Sequence, residues 1–275
     1  MITPEDIKDI LEKSGYLFEQ KAASIIENLN FHVLTNRAYQ DSEKGVSREI
    51  DIVAHKTIFE IEKFQTTGIC YLFCECKNSS TPFVLLIRKK GLLDKYYTPR
   101  EFQFINEGFY FEKGRSLGIF ANLELTGKHY YTKSDTKAVQ FCKIVRNGSK
   151  FEAQHSGVVE GILYPLVKAF LDLHRNTPKS TESKKYCKLT FNIVIVNSDL
   201  YSIDTEDDSA IPQKVDFIPF IHEIKSDNTD GVFLITFVNF NYLEQFLKKE
   251  VLEFCELVGE RYKKNEELLL PISLS

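Results

Sequence analysis

Two short segments of the chain carry charged residues where a buried β-strand usually carries aliphatic ones. Segment 48–54 contains Asp51, and segment 70–77 ends in Glu75 and Lys77 with one residue between them. Because side chains on a strand alternate between its two faces, Glu75 and Lys77 are predicted to share a face. Two carboxylates and one amine are therefore expected to converge at one end of a sheet.

The same alternation orders the side chains around Asp51. Glu49 is predicted to share a face with Asp51, whereas Ile50 and Ile52 are predicted to point to the other face. Glu49 is interpreted as a supporting or solvated residue and not as a ligand.

The composition is that of a soluble globular protein. The chain has 275 residues, 43% hydrophobic and 27% charged, a length that suits one large domain or two small ones. No apolar run approaches the roughly 20 residues of a membrane-spanning helix, and the polar first residues lack the features of a signal peptide. We expect a cytoplasmic protein without a membrane partner. The six cysteines lack CxxC spacing and are expected to be reduced, the three in segment 70–77 lying on the strand face opposite Glu75.

Positive charge is concentrated in the middle of the chain. The formal net charge is −4, but residues 77–150 contain 14 Lys and Arg against 6 Asp and Glu. The same stretch holds many aromatic residues: Tyr96, Tyr97, Phe102, Phe104, Phe109, Tyr110, Phe111, Tyr130 and Tyr131. Basic and stacking groups together suit a phosphate-backbone partner, and the alternative is core aromatics beneath a solvated basic surface.

Apolar spacing, capping residues and turn residues predict the elements that must position these charges. We predict helices at 4–13, 16–29, 156–173 and 242–258, and strands at 31–35, 48–60, 69–77, 83–87, 189–196, 215–224 and 231–238. Glu19 lies on the flank of the apolar stripe of the second helix, so it is expected to face the edge of the core.

The remaining predictions concern the middle segment, a candidate domain boundary and the place of the late strands in the sheet. Residues 89–150 are expected to form loops, short helices and a mobile surface. The polar stretch 176–185 is the one candidate domain boundary. The apolar run 189–196 is typical of a strand buried on both faces of the same sheet, and the last two strands, 215–224 and 231–238, are predicted at its edge.

The predicted elements follow in a fixed order: a helix with an inward acid, a strand, a strand with Asp, a strand with Glu-x-Lys, a helix and a strand. This order resembles the PD-(D/E)xK, or restriction-endonuclease-like, superfamily. The matching residues are Asp51, the triplet Glu75-Cys76-Lys77, and Glu19 in the preceding helix. The resemblance is best over residues 14–80 and topological beyond them, and Ile50 replaces the proline of the motif.

The resemblance implies an α/β fold with a mixed central sheet flanked by helices. It implies one nuclease-like domain over 1–275, divided as follows: a core at 1–80 and 153–200, a basic, aromatic-rich insertion at about 80–150, and C-terminal strands and a helix at 201–275.

The resemblance also implies metal-dependent hydrolysis of phosphodiester bonds with Mg²⁺ or Mn²⁺. Asp51, Glu75 and the backbone carbonyl of Cys76 are the expected ligands, and Glu19 is expected to bind directly or through water. Lys77 is expected to orient the attacking water or to stabilise developing negative charge.

Nucleic-acid contacts are expected from basic residues next to the motif and within the insertion. These residues are Arg48, Arg88, Lys89, Lys90, Lys95 and Arg100. For Arg48 the alternative is a residue that covers the end of its strand.

The function that follows is a DNA endonuclease of restriction, anti-phage defence or repair, acting alone, as a homodimer or with other subunits. One alternative is an RNA-cleaving member of the same fold, and another is a nucleic-acid-binding or assembly module without activity. Each charged residue also has a structural interpretation: Asp51 as a turn acid, Glu75 and Lys77 as an exposed ion pair on an edge strand, and Glu19 as a solvated helix residue.

Overall fold

The computed structural model describes residues 2–105, 109–112, 115–155, 157–181, 183–226 and 228–270, and the backbone alone for 109–112 and 115–117. The helices are α1 (Pro4–Ser14), α2 (Tyr16–Asn28), α3 (Ile119–Asn122), α4 (Tyr130–Lys133), α5 (Val158–His174), α6 (Leu243–Phe246) and α7 (Glu253–Lys264), and a π-helical segment (Leu247–Leu252) joins the last two. Short 3-10 turns lie at Glu62–Phe64, Leu93–Tyr96, Phe240–Tyr242 and Glu266–Leu269.

The strands are β1 (His32–Asp41), β2 (Val46–Ile61), β3 (Thr66–Lys77), β4 (Phe83–Lys89), β5 (Phe102–Gln103), β6 (Phe109–Glu112), β7 (Arg115–Gly118), β8 (Thr136–Asn147), β9 (Lys150–Gln154), β10 (Lys185–Val196), β11 (Leu200–Asp204), β12 (Gln213–Lys214), β13 (Phe217–Lys225) and β14 (Asp230–Asn239). Twelve of them form one mixed sheet in the order β1-β2-β3-β10-β14-β13-β8-β4-β11-β12, with β5 beside β10 and β9 beside β8. Strands β6 and β7 form a separate hairpin. The predicted α/β class with a mixed sheet flanked by helices is confirmed.

Local sequence signals fix the corner between the first two helices. The hydroxyl of Thr3 accepts the backbone N–H of Asp6, whose carboxylate in turn accepts the backbone N–H of Thr3, so α1 begins with a complete capping box. Gly15 ends α1 with φ +94°, a left-handed conformation that glycine adopts without strain. Helix α2 begins at the next residue, as the sequence predicts.

The first three strands form an antiparallel meander, and α5 carries the chain across to β10, which runs parallel to β3. Helices cover both faces of these four strands. Leu72 and Cys74 of β3 pack in a cluster with α2 and α7, while Tyr71 and Phe73 pack in a second cluster with α5. All six cysteines are present as thiols, and those of β3 lie in the α2-side cluster, as predicted.

The sheet is strongly curled around the α5-side cluster. Strands β4 and β14 are three positions apart in the sheet, which corresponds to about 14 Å in a flat one. The rings of Phe83 on β4 and Phe237 on β14 nevertheless lie 6.1 Å apart, and Phe141 of β8 lies 5.0 Å from Phe237. The curl explains how the short connection 78–82 links β3 to a strand five positions away.

The prediction of loops and short helices over 89–150 is wrong for β8, a 12-residue strand of the main sheet. Strand β8 pairs with β4, β9 and β13. Its ladder with β4 skips Val139, so the buried side chains Ala138 and Phe141 are three residues apart instead of two. This bulge hides the period of two that a strand prediction depends on.

The late strands were also placed wrongly at the sheet edge. Strand β14 lies between β10 and β13, and its side chains from Phe233 to Val238 are buried because both faces of the sheet are covered there. The polar stretch 176–185 leads directly into β10, so the sheet continues across the candidate boundary. The predicted long helix is confirmed as α5, with Pro165 inside it. No helix within the described ranges has both the length and the apolar character needed to cross a bilayer.

Two helical glycines provide a matched test of the packing. A Cβ at Gly259 of α7 would lie 2.6 Å from the Phe59 ring, whereas a Cβ at Gly161 of α5 meets nothing within 4 Å. We expect Gly259→Ala to lower the free energy of unfolding by about 1–3 kcal/mol through overpacking, and Gly161→Ala to raise it by about 0.5–1 kcal/mol through helix propensity. Urea denaturation measures both values. Equal effects of the two substitutions would contradict the packing of α7 on Phe59, and Phe59→Leu is expected to relieve Gly259→Ala in part.

Candidate active site

The site forms where β2 separates from β3. The antiparallel ladder between these strands ends at the pair Ile52 and Cys74. Beyond this pair, the backbone N–H of Cys76 on β3 has no strand partner on β2. The side chain of Asp51 takes that place, because its Oδ2 accepts the Cys76 N–H at 2.6 Å. Strand divergence and a charge-assisted hydrogen bond thus fix the Asp51 carboxylate against the backbone of β3.

The regular alternation of side chains is interrupted at Asp51. Ile50 packs in the α5-side cluster and Ile52 in the α2-side cluster, so the prediction that they share a face is wrong. The register of β1 on β2 skips the position of Asn36 and Asp51, and Asn36 has φ +51°. At this left-handed residue, the face of the sheet to which alternate side chains of β1 and β2 point is exchanged. Asp51 lies at this position, and its side chain extends toward β3. Glu49 is exposed, in agreement with its interpretation as a solvated residue.

Glu75 and Lys77 form a largely buried ion pair. The Glu75 side chain follows Tyr71 and Phe73 on the α5 side of β3 and is only 5% exposed. The Lys77 Nζ donates to Glu75 Oε2 at 2.8 Å. Because β3 lies between β2 and β10, the alternative of an exposed pair on an edge strand is wrong.

Glu19 of α2 reaches the same group of charges. The Asn78 amide donates to the carbonyl of Glu12 at 2.8 Å and so ties the corner between α1 and α2 to the end of β3. Burial raises the pKa of Glu19, the negative charge of Asp51 raises it further, and Lys77 acts in the opposite direction. Glu19 is therefore partly buried and electrostatically coupled to the other acids, unlike a solvated helix residue.

Burial and crowding of charge change the protonation of Glu75. Burial raises the pKa of Glu75 to about 7, and the charge and a side-chain hydrogen bond of Asp51 add to the increase, while Lys77 opposes it. For Lys77, burial lowers the pKa but the charge and hydrogen bond of Glu75 outweigh burial, so the net shift is upward. The site thus holds more negative charge than one lysine neutralises.

This donor set fits a hard divalent cation. Asp51 and Glu75 supply carboxylate oxygens, and the negative charge of Asp51 raises the pKa of Glu75. The Lys77 carbonyl accepts the backbone N–H of Asn197, the residue that follows β10. Because successive residues of a strand direct their backbone groups to opposite sides, the N–H and C=O of Cys76 face β2, where Asp51 lies. Within the described ranges, no three Asp, Glu, His or Cys side chains form a complete metal-binding group. Mg²⁺ typically takes one or two carboxylates and keeps waters, which agrees with such a partial set.

Two of the predicted nucleic-acid contacts are held by partners within the fold. Lys90 is buried, donates to the carbonyl of Ser134 at 2.7 Å and stacks on Tyr131, so its prediction as a surface contact is wrong. Arg100 packs over the Phe233 ring at 4.8 Å and donates to the carbonyl of Asp230, so its guanidinium serves the fold. Both depend on partners that are distant in sequence.

The other basic residues remain at the surface. Arg88 and Lys89 are exposed at the end of β4. The start of β4, at Phe83, is the end that adjoins the site. Lys95 is exposed and lies 4.0 Å from Asp135. The Nε of Arg48 lies 3.0 Å from Asp41 Oδ2, as expected if it covers the strand end.

Most of the aromatic residues in the basic stretch belong to the core. The side chains of Phe102, Phe104, Tyr130 and Tyr131 are buried, whereas Tyr96 is 66% exposed. The side chains of Phe109, Tyr110 and Phe111 lie outside the described residues. Where the structure describes them, these aromatics favour core packing over stacking on a nucleic acid.

A polar group that the sequence does not reveal lies beside Glu75. Burial raises the pKa of Tyr39 to about 12, with Arg48 opposing and Glu75 adding to the shift. Next to it, Lys168 of α5 donates to Asp41 Oδ1 at 3.0 Å. No spacing signal could have found this pair, because the partners are 127 residues apart.

Comparison of the chain with protein-family models, with curated proteins and with solved structures gave no match.

The raised pKa of Glu75 predicts a pH-dependent stability. The folded state holds the Glu75 proton more tightly than the unfolded state, where the pKa is about 4.5. The resulting stabilisation is complete below pH 4.5 and is lost as the pH rises through about 7. Relative to Glu75→Gln, the wild type is expected to lose up to about 3 kcal/mol of unfolding free energy over this range. Urea denaturation at several pH values tests this, and parallel curves for the two proteins would contradict it.

Proposed function

We propose that the protein is a metal-dependent nuclease that hydrolyses phosphodiester bonds. The observation that carries the proposal is the Asp51 carboxylate held on the Cys76 N–H beside the buried Glu75–Lys77 pair. The order of α2, the β1–β3 meander, α5 and the parallel strand β10 supports a restriction-endonuclease-like core. The proposal therefore rests on side-chain geometry and on topology together.

The residues of the site have distinct proposed roles. Asp51, Glu75 and the Cys76 carbonyl would hold a Mg²⁺ or Mn²⁺ ion, and Glu19 would contribute through a bound water. When bound, the ion would supply positive charge for the scissile phosphate and for activation of water. Lys77 then orients the nucleophile and stabilises the negative charge that develops on the phosphate. An arginine would not replace it well, because its planar fork differs in geometry from an ammonium.

The protonation of Glu75 links the proposed activity to pH. A carboxylic acid must lose its proton to bind a metal ion, and the pKa of Glu75 is about 7. Metal binding near neutral pH would therefore release protons, and metal affinity would rise with pH through this range.

DNA is the proposed substrate, in restriction, anti-phage defence or repair. The exposed basic residues Arg88, Lys89 and Lys95 would contact its backbone at a distance from the acids. Cytoplasmic location, and a homodimer or a complex with other subunits, belong to the same proposal.

A nuclease assay tests the proposed roles. We expect the wild type with Mg²⁺ or Mn²⁺ to cleave supercoiled DNA, Asp51→Asn and Glu75→Gln to lose both metal binding and cleavage, and Lys77→Met to lose about 10²–10³-fold in cleavage while it still binds the ion. The matched control is Glu49→Gln, which removes an exposed acid of the same strand and is expected to keep full activity.

Matched labelled DNA and RNA in this assay distinguish the two substrates. Cleavage of RNA alone would favour the ribonuclease alternative. Binding of nucleic acid without cleavage of either substrate by the wild type would favour the inactive binding module.

Calorimetry tests the proposed metal site independently of cleavage. Titration of Mg²⁺ near pH 7 in two buffers of different ionisation enthalpy is expected to show proton release by the wild type, because the ion displaces the Glu75 proton. Glu49→Gln serves as the control with unchanged release. Mg²⁺ binding without any buffer dependence would show that Glu75 does not donate to the ion.

A further inference from the structure

A two-stranded arm extends from the main sheet beside the candidate active site. It comprises residues 144–154, which are the end of β8, a two-residue turn and β9. The ladder between β4 and β8 ends at the pair Phe83 and Lys143, so the arm continues beyond β4. All side chains of β9 are exposed. The position of β9 therefore depends on backbone pairing with β8 and not on packing against the core.

The base of the arm is attached to the loop that follows the candidate active site. The backbone N–H of Ile144 donates to the carbonyl of Pro82 at 3.0 Å, and the Thr81 hydroxyl donates to the carbonyl of Ile144. The chain from Lys77 to Thr81 spans at most about 14 Å. At about 3.4 Å per nucleotide along a stacked strand, roughly four nucleotides cover that distance. A short nucleic acid can therefore contact the site and the arm together.

One face of the arm combines an exposed aromatic ring with a guanidinium group. Phe151 is 68% exposed and lies directly opposite Arg146 in the ladder between β8 and β9, so the two side chains share a face. Arg146 is also exposed, and its Nε donates to the carbonyl of Gly148 at 3.1 Å. Glu152, the one acid of the arm, lies on the other face and accepts from the Asn147 amide. The face of Phe151 thus carries positive charge and no negative charge of its own.

We propose that the arm binds unpaired nucleotides of the nucleic acid on which the proposed nuclease acts. The inference rests on the proposed function and adds the form of the substrate. Bases stack on exposed aromatic rings with little regard to sequence, and neighbouring cations contact the phosphates. Lys150, at the tip of the arm, adds a second exposed cation to Arg146. Stacking of a paired base on Phe151 would first require that base to leave its duplex, which costs free energy.

Local charge and the size of the apolar surface favour a nucleic acid over a protein partner. Residues 143–154 contain three Lys or Arg against one Glu, although the whole chain has a net charge of −4. A single aromatic ring such as Phe151 buries about 150–250 Å², whereas a standard protein–protein interface buries about 800 Å² on each partner. A positive surface with one exposed ring suits a phosphate backbone and its bases.

The test is fluorescence anisotropy with the full chain in EDTA, which removes divalent ions and so prevents metal-dependent cleavage. The probes are a labelled 12-nucleotide single-stranded DNA and the corresponding 12-base-pair duplex. We expect the single strand to bind more tightly than the duplex. Phe151→Ala is expected to weaken single-strand binding about 5–100-fold, as loss of one base stack does, and to leave duplex binding unchanged.

A tryptophan substitution reports stacking directly. The chain contains no tryptophan, so Phe151→Trp introduces a single indole at the arm. We expect this variant to retain single-strand binding and its fluorescence to be quenched when the strand binds. The matched control is Ile211→Trp, because Ile211 is 70% exposed and lies outside the arm. Its fluorescence is expected to be unchanged by the strand.

Two further measurements separate charge from folding. Arg146→Gln is expected to reduce the slope of log affinity against log salt concentration by about 0.7, the value for one phosphate contact on a single strand. Melting temperatures of all variants are expected to equal that of the wild type, because each substitution replaces an exposed side chain.

Three results would overturn the proposal. The first is binding of neither probe by the wild type, and the second is unchanged single-strand affinity in Phe151→Ala. The third is an equal loss of single-strand and duplex binding in Phe151→Ala, since recognition would then not depend on unpaired bases. Because the assay excludes metal-dependent cleavage, a wild type that binds the strand through the arm but never cleaves it would contradict the nuclease proposal alone.

Discussion

The hydrogen bond from the Cys76 N–H to the Asp51 carboxylate is the contact on which the candidate site depends. It forms because β2 leaves β3 after the pair Ile52 and Cys74, so a backbone donor of β3 has no strand partner. The left-handed Asn36 on β1 lies at the same level and shifts the phase of both strands. Asp51 is thereby directed along the plane of the sheet, toward Glu75 and away from either core.

The rest of the fold brings further charges to this point and keeps water from Glu75. Helix α5 covers the face that carries Glu75, and α2 approaches from the other face with Glu19. The curl of the sheet brings the start of β4 back to the end of β3. The cost of this arrangement is visible in the protonation of Glu75, whose pKa burial raises to about 7. A site that is unfavourable for its own carboxylates is favourable for a cation, which is why the geometry supports a metal-dependent function.

Local patterns predicted much of the fold, and long-range contacts account for most of the errors. Period-two alternation placed Glu75 and Lys77 together because β3 is regular throughout. The same rule failed at Ile50, where a left-handed residue on the neighbouring strand changes the phase, and at β8, where the bulge at Val139 hides the period. Lys90 and Arg100 were predicted as nucleic-acid contacts. Tyr131 contributes to the buried position of Lys90, and Phe233 holds the exposed Arg100, from positions that no local pattern connects to them.

Anomalous scattering from crystals soaked in Mn²⁺ is the sharpest test of the proposed metal site, because it locates the ion without reference to any substrate. We expect a single strong peak within about 2.5 Å of a carboxylate oxygen of Asp51 and one of Glu75, on the side of the Cys76 carbonyl. Lys77 is expected to move away from Glu75 Oε2 when the ion binds. A saturating soak that leaves the Glu75–Lys77 pair intact and gives no peak between the two carboxylates would contradict it.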